Sequence, residues 1–220
     1  MCKSFFLLIV YSSIFLCEVV LAQDSHSIQI NGGIISPRSS SNGLVGSIQY
    51  NYSFNTSLIF YAYMGYSAWD RNKVVLHNIK EVYTNKSQHY FYSYSEDEHY
   101  LIPVYIGTSI DLHTNKLFTS FLEFEIGYSY LSYISYENVI VTDPESGEVL
   151  SYYADGSTGE NVQENLFGVG IGAGLSHPIS SGINLLLTFK LNSYVNENYY
   201  GLFSKRGTYT TFLAGFNFNL

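Results

Sequence analysis

The chain is poor in charge, poor in cysteine and without a basic run. Only 13% of its 220 residues are Asp, Glu, Lys or Arg, against about 25% in an ordinary soluble domain. The formal net charge is −8. Phosphate binding needs a stripe of Lys and Arg, so this balance excludes nucleic acid as a partner. The cysteines are Cys2 and Cys17, both near the start. The remainder therefore holds no disulfide framework, no thiolate zinc site and no cysteine nucleophile. No stretch beyond the first 22 residues approaches about 18 consecutive apolar residues, which excludes a membrane-spanning helix there. If this chain enters a membrane, it does so as strands.

The first stretch, MCKSFFLLIVYSSIFLCEVVLAQ, has Lys3, then an apolar run, then Val20-Leu21-Ala22. That order is that of a secretory signal peptide over residues 1–22, with cleavage between Ala22 and Gln23. A retained anchor is disfavoured because the run is short and Glu18 interrupts it. A lipoprotein reading of Cys17 is disfavoured because Leu16 stands where a small residue is needed. Without the signal, residues 23–220 form one domain with the charge unchanged at −8, since Lys3 and Glu18 leave together.

Residues alternate between apolar and polar along almost all of that domain, and no segment shows a convincing 3.6-residue period. Eight strands are predicted, over 26–35, 43–52, 57–68, 99–112, 118–132, 165–176, 183–194 and 208–220. Most have ten or more residues. Globular strands average about five to six, whereas membrane strands need about nine to eleven. The connections carry a second signal. SPRSSSN joins the first two strands, and the later connections run short, long, short, long, short, medium. The tight turns are SFNT, HTNKL and HPISSG; the long loops cover about 69–98 and 133–164. With strands running up and down, every tight turn falls at one end and every longer loop at the other.

Each strand also has one face free of charge. Leu44, Gly46, Ile48, Tyr50 and Tyr52 alternate with Val45, Ser47, Gln49 and Asn51. Leu122, Phe124, Ile126, Tyr128 and Tyr130 alternate with Phe121, Glu123, Glu125, Gly127 and Ser129. The strand charges Asp111, Glu123, Glu125 and Lys190 all fall on the opposite face. Lys or Arg on a lipid-facing row costs about 2–4 kcal/mol at the bilayer midplane. The uncharged face is therefore expected to meet lipid and the mixed face a lumen. Tyr50, Tyr52 and Phe118 at the turn end, with Tyr66, Tyr100, Tyr128, Tyr130 and Tyr194 at the loop end, are expected to form the interfacial belts.

With these features the chain resembles the small outer-membrane β-barrel proteins, the OmpA/OmpX-like class, over residues 23–220. The last strand, TYTTFLAGFNFNL, resembles the assembly signal of that class through Gly215, Phe218 and Leu220. Leu220 stands where Phe is usual, and Leu213 where a polar residue is usual. The resemblance implies an all-β, eight-stranded antiparallel up-and-down transmembrane β-barrel with short periplasmic turns and long external loops. It implies an integral outer-membrane location with both termini periplasmic. The implied partners are the bilayer, a barrel-assembly machinery and an external ligand held by loops 69–98 and 133–164.

The polar residues support several readings. Glu123, Glu125 and Lys190, with Asp111, read as a polar network filling a narrow barrel or as an ion-pair gate; filling is favoured because eight strands leave little free interior. Lys190 is expected to pair with a lumen carboxylate, since an unpaired interior charge is costly. Gly168, Gly170, Gly172 and Gly174 share one face and read as space for large lumen neighbours such as Tyr61, Tyr63, Tyr105 and Tyr209. A phosphate loop would need a following helix, and none is visible. HYFYSYSEDEHY holds His89, Glu96, Asp97, Glu98 and His99, and reads as an exposed acidic loop tip before a metal site. DPESGE and DGSTGEN read as turns before calcium loops. His77, His89 and His99 stand near many serines, but no nucleophile signature accompanies them. The expected function is a non-enzymatic outer-membrane barrel with a structural, adhesion or envelope role and no cofactor. The alternatives are a lipid-modifying enzyme on the same barrel and a secreted soluble ligand-binding barrel.

Overall fold

Eight strands close on themselves in the order β1-β12-β11-β10-β7-β6-β3-β2. These staves are β1 (His26–Pro37), β2 (Gly43–Ser53), β3 (Leu58–Trp69), β6 (Glu96–Thr114), β7 (Thr119–Ser135), β10 (Glu160–Ser180), β11 (Ile183–Tyr194) and β12 (Thr208–Asn219). Two smaller hairpins lie outside the wall, β4 (Val74–His77) with β5 (Tyr90–Ser93) and β8 (Asn138–Thr142) with β9 (Val149–Ala154). The computed structural model describes residues 26–38, 40–72, 74–77, 90–115, 117–195 and 208–220. The expected cleavage site at Ala22 and Gln23, and His89, lie outside those residues.

All neighbouring staves are antiparallel. Two tight turns use one device. Asn55 Oδ1 accepts the backbone N–H groups of Ser57 and Leu58 at 2.9 and 2.8 Å. Asn115 Oδ1 accepts those of Leu117 and Phe118 at 2.8 and 2.9 Å. A short polar side chain that bonds its own backbone two or three residues on holds a chain reversal without help from the core. The third tight turn, Ser181-Gly182, joins β10 to β11. The wall closes where β12 meets β1, from Ser27↔Asn219 to Pro37↔Tyr209. Near that seam's turn end the Leu220 N–H donates to the His26 carbonyl.

Period two sorts the wall into an exposed outer face and a buried inner one. On β10 the outward row runs Phe167, Val169, Ile171, Ala173, Leu175, while the glycines point inward. On β12 Phe212, Phe216 and Phe218 are exposed outward while Tyr209, Thr211 and Leu213 are buried. Tyr194 corrects one expectation. It is buried within the lumen at 4% exposure and packs against Tyr209. It shares the parity of Lys190 and Asn192, so the alternation itself places it inside and removes it from the outer aromatic belt.

The lumen has two storeys. Toward the loop end, Ile35, Val45, Leu101, Leu131, Leu166 and Leu213 form an apolar plug with Tyr194 and Tyr209. Toward the turn end the interior is polar, with Gln29, Asn31, Gln49, Asn51, Glu123 and Glu125 buried. The long loops hold more structure than expected. The stretch 133–164 contains β8, β9 and a 3₁₀ turn at Gly156–Thr158. The strands of these loops are four to six residues long, too short for a period to stand out from flanking turn residues.

Candidate functional site

The most concentrated chemistry lies in the lumen, and the glycines of β10 create it. Register places Glu123, Gly172 and Lys190 in one row across β7, β10 and β11, and Glu125, Gly170 and Asn192 in the next. A Cβ at Gly170 would run into Asn192 Nδ2 and lie 2.7 Å from Glu125 Cγ. With no side chain on the middle strand, the acids of β7 and the donors of β11 meet over it. Lys190 Nζ donates to Glu125 Oε2 at 2.9 Å and pairs with Glu123 Oε2 at 3.1 Å. Asn192 Nδ2 donates to Glu125 Oε1 at 2.5 Å, and the Tyr61 hydroxyl donates to Glu125 Oε2 at 3.0 Å. The Lys190 ammonium also faces the rings of Tyr63 and Tyr61, at 4.6 and 5.2 Å.

Glu125 is the best-satisfied group here, with three donors on two oxygens. Lys190 is 3% exposed and is held by two carboxylates and two ring faces. A buried cation survives only with such partners. The arrangement suits cross-bracing rather than turnover. The charges face one another, and the apolar plug covers them on the loop side.

Asp111 does not join this group. It lies at the turn end and lines an open polar vestibule of about 370 Å³ with His26, Gln29, Gln49, Asn51 and Asn217. Glu123 is the member of the bracing cluster that also lines this space. The residues that fill the room left by the glycines differ in part from those expected. Gly168 accommodates the Tyr105 hydroxyl and Tyr194, Gly170 accommodates Glu125 and Asn192, Gly172 accommodates Lys190, and Gly174 accommodates Phe121. Tyr61 packs instead over Gly107, and the Tyr63 hydroxyl over Gly65.

At the loop end the acidic run 96–99 divides. His99 points inward at 4% exposure, stacked between Trp69 and Tyr133 with centroids 5.0 and 5.3 Å away. Its Nδ1 lies 2.7 Å from the Asp70 carbonyl. Asp97 accepts from Arg71 Nε at 3.0 Å, and the Arg71 guanidinium lies 4.2 Å from the Tyr94 ring centre. Glu98 is exposed, with a left-handed φ of 53° at a bulge between β6 and β7. Among the described residues no group of three or more His, Asp or Glu could hold a metal ion. The trio Trp69–His99–Tyr133 was not singled out in the sequence, because its members are remote in the chain.

DPESGE and DGSTGEN are turns. Asp143 accepts the backbone N–H groups of Glu145 and Ser146 at 2.7 and 3.0 Å, and Asp155 accepts that of Ser157 at 2.9 Å. These bonds hold both carboxyls below the ordinary aspartate range; for Asp155 the Ser157 hydroxyl is the largest cause, and for Asp143 the Ser146 N–H.

At the last strand, Gly215 leaves room for Asn31: a Cβ there would run into the Ile30 carbonyl oxygen and Asn31 Oδ1. Phe218 pairs with Ile28 on one side and Ile183 on the other, and Leu220 is exposed.

A closed β-barrel wall of this shape is also found among solved structures. Neisserial surface protein A is similar at a TM-score of 0.53 and 14% identity, covering 89% of this chain and 97% of its own. A major outer membrane protein from Thermus thermophilus is similar at 0.51 and 10% identity, covering 89% and 100%. The fold is that of the small outer-membrane β-barrels. No family model and no curated protein sequence matches this chain. The barrel likeness is therefore one of architecture, and the residues of the lumen have to be read on their own chemistry.

Proposed function

We propose that this chain is a non-enzymatic, integral outer-membrane β-barrel that serves a structural, adhesive or envelope-integrity role. The observation that carries the reading is the outer face. From Phe167 to Leu175 on β10, and at the same level around the barrel, the outward positions hold no Asp, Glu, Lys or Arg. Ile30, Ile48, Val104, Ile126, Phe189 and Phe212 are among the large apolar residues standing exposed there. A water-soluble barrel would leave that band facing solvent, whereas an apolar band about 25 Å tall suits a bilayer.

The filled lumen favours bracing over conduction, because an eight-stranded barrel is narrow and this one carries an apolar plug. The tight turns and the β1–β12 seam end would face the periplasm, and the β4–β5 and β8–β9 hairpins the exterior. Gly215, Phe218 and Leu220 would be read by a barrel-assembly machinery. The test combines membrane fractionation, a gel comparison of boiled and unboiled samples, and protease shaving of intact cells. Expected are membrane recovery, a mobility shift on boiling, and cleavage within the hairpins. Recovery as a detergent-free soluble monomer would overturn the reading.

A further inference from the structure

The β8–β9 hairpin presents apolar side chains beyond the end of the outward apolar row. The β7–β10 ladder continues past Tyr130↔Asn165 to Ser135↔Glu160 before the hairpin begins. At roughly 3.3 Å per residue and a strand tilt of about 40°, those five pairs raise the wall about 12 Å beyond the outward apolar row. Yet Ile140, Val141, Leu150 and Tyr153 are all exposed there. Cross-strand pairs Val139↔Tyr153 and Ile140↔Tyr152 put apolar residues on both faces of a sheet that has only two strands. Such surface in water marks a place where another molecule sits.

The charge around it selects the kind of molecule. Residues 136–164 hold seven carboxylates and not one Lys or Arg. Asp143 and Asp155 are engaged in capping their own turns, and Glu164 accepts from the Tyr133 hydroxyl. None of those bonds removes a negative charge. The neighbouring strand β5, against which β9 lies, contributes the exposed Tyr92. Beside it, Arg71 lies against Tyr94 and Asp97. That contact shows how a guanidinium is received on this side of the molecule, by a ring face and a carboxylate together.

We propose that the β8–β9 hairpin is the docking surface for a basic polypeptide whose Lys or Arg residues alternate with apolar ones. The apolar residues would cover Val141 and Tyr153, which share one face of the hairpin, and the cations would face the surrounding carboxylates, which also speed encounter. This deepens the proposed surface role by naming the partner's chemistry, and it rests on that reading for the partner's access from outside.

The experiment uses the full-length barrel in nanodiscs of zwitterionic lipid, with labelled peptides as probes. One alternates Lys with Val, one Lys with Ser, and one Glu with Val. The Lys/Val peptide is expected to bind at least about tenfold more tightly than either of the others, and rising salt is expected to weaken it. Val141→Ser with Tyr153→Ser, and separately Glu145→Gln with Glu148→Gln, are each expected to weaken binding several-fold. Each variant is first shown to keep its heat-dependent gel mobility, so that barrel folding is controlled. Equal binding of the Lys/Ser peptide, or no change in either variant, would overturn the proposal in favour of general charge attraction. No binding of the Lys/Val peptide would overturn it outright. Nanodiscs expose both ends of the barrel, so peptide binding stands or falls independently of the orientation that protease shaving tests.

Discussion

Lys190 Nζ lies 2.9 Å from Glu125 Oε2 although their strands, β11 and β7, are not neighbours. The contact crosses β10 at its glycines. Removing the cation leaves Glu123 and Glu125 buried without it. Lys190→Met is therefore expected to lower stability by about 3–5 kcal/mol. Adding Glu123→Gln and Glu125→Gln to that variant is expected to recover part of the loss. Urea unfolding in lipid vesicles, followed by tyrosine and tryptophan fluorescence, measures both. A single variant as stable as the parent would show that the cluster does not brace the barrel.

Glycines of the inner and outer faces are expected to respond oppositely. Gly170→Ala drives a methyl into Asn192 and Glu125, which overpacks the cluster and costs about 1–3 kcal/mol. At Gly32 the nearest atom to an added Cβ is the Val45 carbonyl oxygen at 4.0 Å. Gly32→Ala is expected to be neutral or stabilising by about 0.5 kcal/mol, because alanine loses less backbone freedom on folding. Thermal midpoints of the two variants, compared side by side, test the inside-outside assignment directly.

The final strand gives a matched pair of substitutions. Phe218 is exposed on the outer face between Ile28 and Ile183. Asn219 points to the turn-side rim of the lumen, where it lines the vestibule. Phe218→Asp puts a charge on the lipid row and is expected to cut the heat-modifiable membrane fraction about tenfold, whereas Asn219→Asp is tolerated. Equal assembly of the two would refute the parity of β12.

Acid should loosen the 3₁₀ turn at Gly156–Thr158 only at low pH. The folded carboxyl of Asp155 lies below its ordinary value of 3.8, chiefly through the Ser157 hydroxyl and then the Ser157 N–H. A depressed carboxyl contributes its stabilisation fully above the ordinary value and loses it as pH falls through the depressed one. The Ser157 amide resonance is therefore expected to stay constant from neutral pH to near 3.8 and to move below it. Asp155→Asn keeps an acceptor oxygen and is expected to abolish the movement.

The staves were legible because each repeats every two residues over a long run. The stretch 183–194 was expected as a strand, and β11 spans Ile183–Tyr194. The same alternation placed Asp111, Glu123, Glu125 and Lys190 on one face. It could not say that Asp111 lies at a different depth, because depth along the axis depends on the stagger between staves. Nor could it say that Asn192 and Tyr61 reach Glu125, since those contacts cross the lumen between remote segments. Tyr194 shows the opposite case. Its parity was available in the sequence, and following it strictly would have placed the ring inside. The β8–β9 hairpin stayed hidden because five or six residues bounded by Asp, Pro and Gly look the same as a loop.

The β1–β12 seam has a kinetic consequence. Seven of the eight ladders join staves that follow one another along the chain, and each can zip from its own hairpin or loop. The eighth joins Ser27 to Asn219. It has to wait until a curled ribbon brings its ends together, and that search lengthens the folding time. Until then the ribbon carries two open edges, and the Tyr61 hydroxyl on β3 has to find Glu125 on β7 across an unfinished curve. The cross-lumen contacts and the last ladder therefore favour one another, which makes closure a single cooperative event rather than the addition of one more strand.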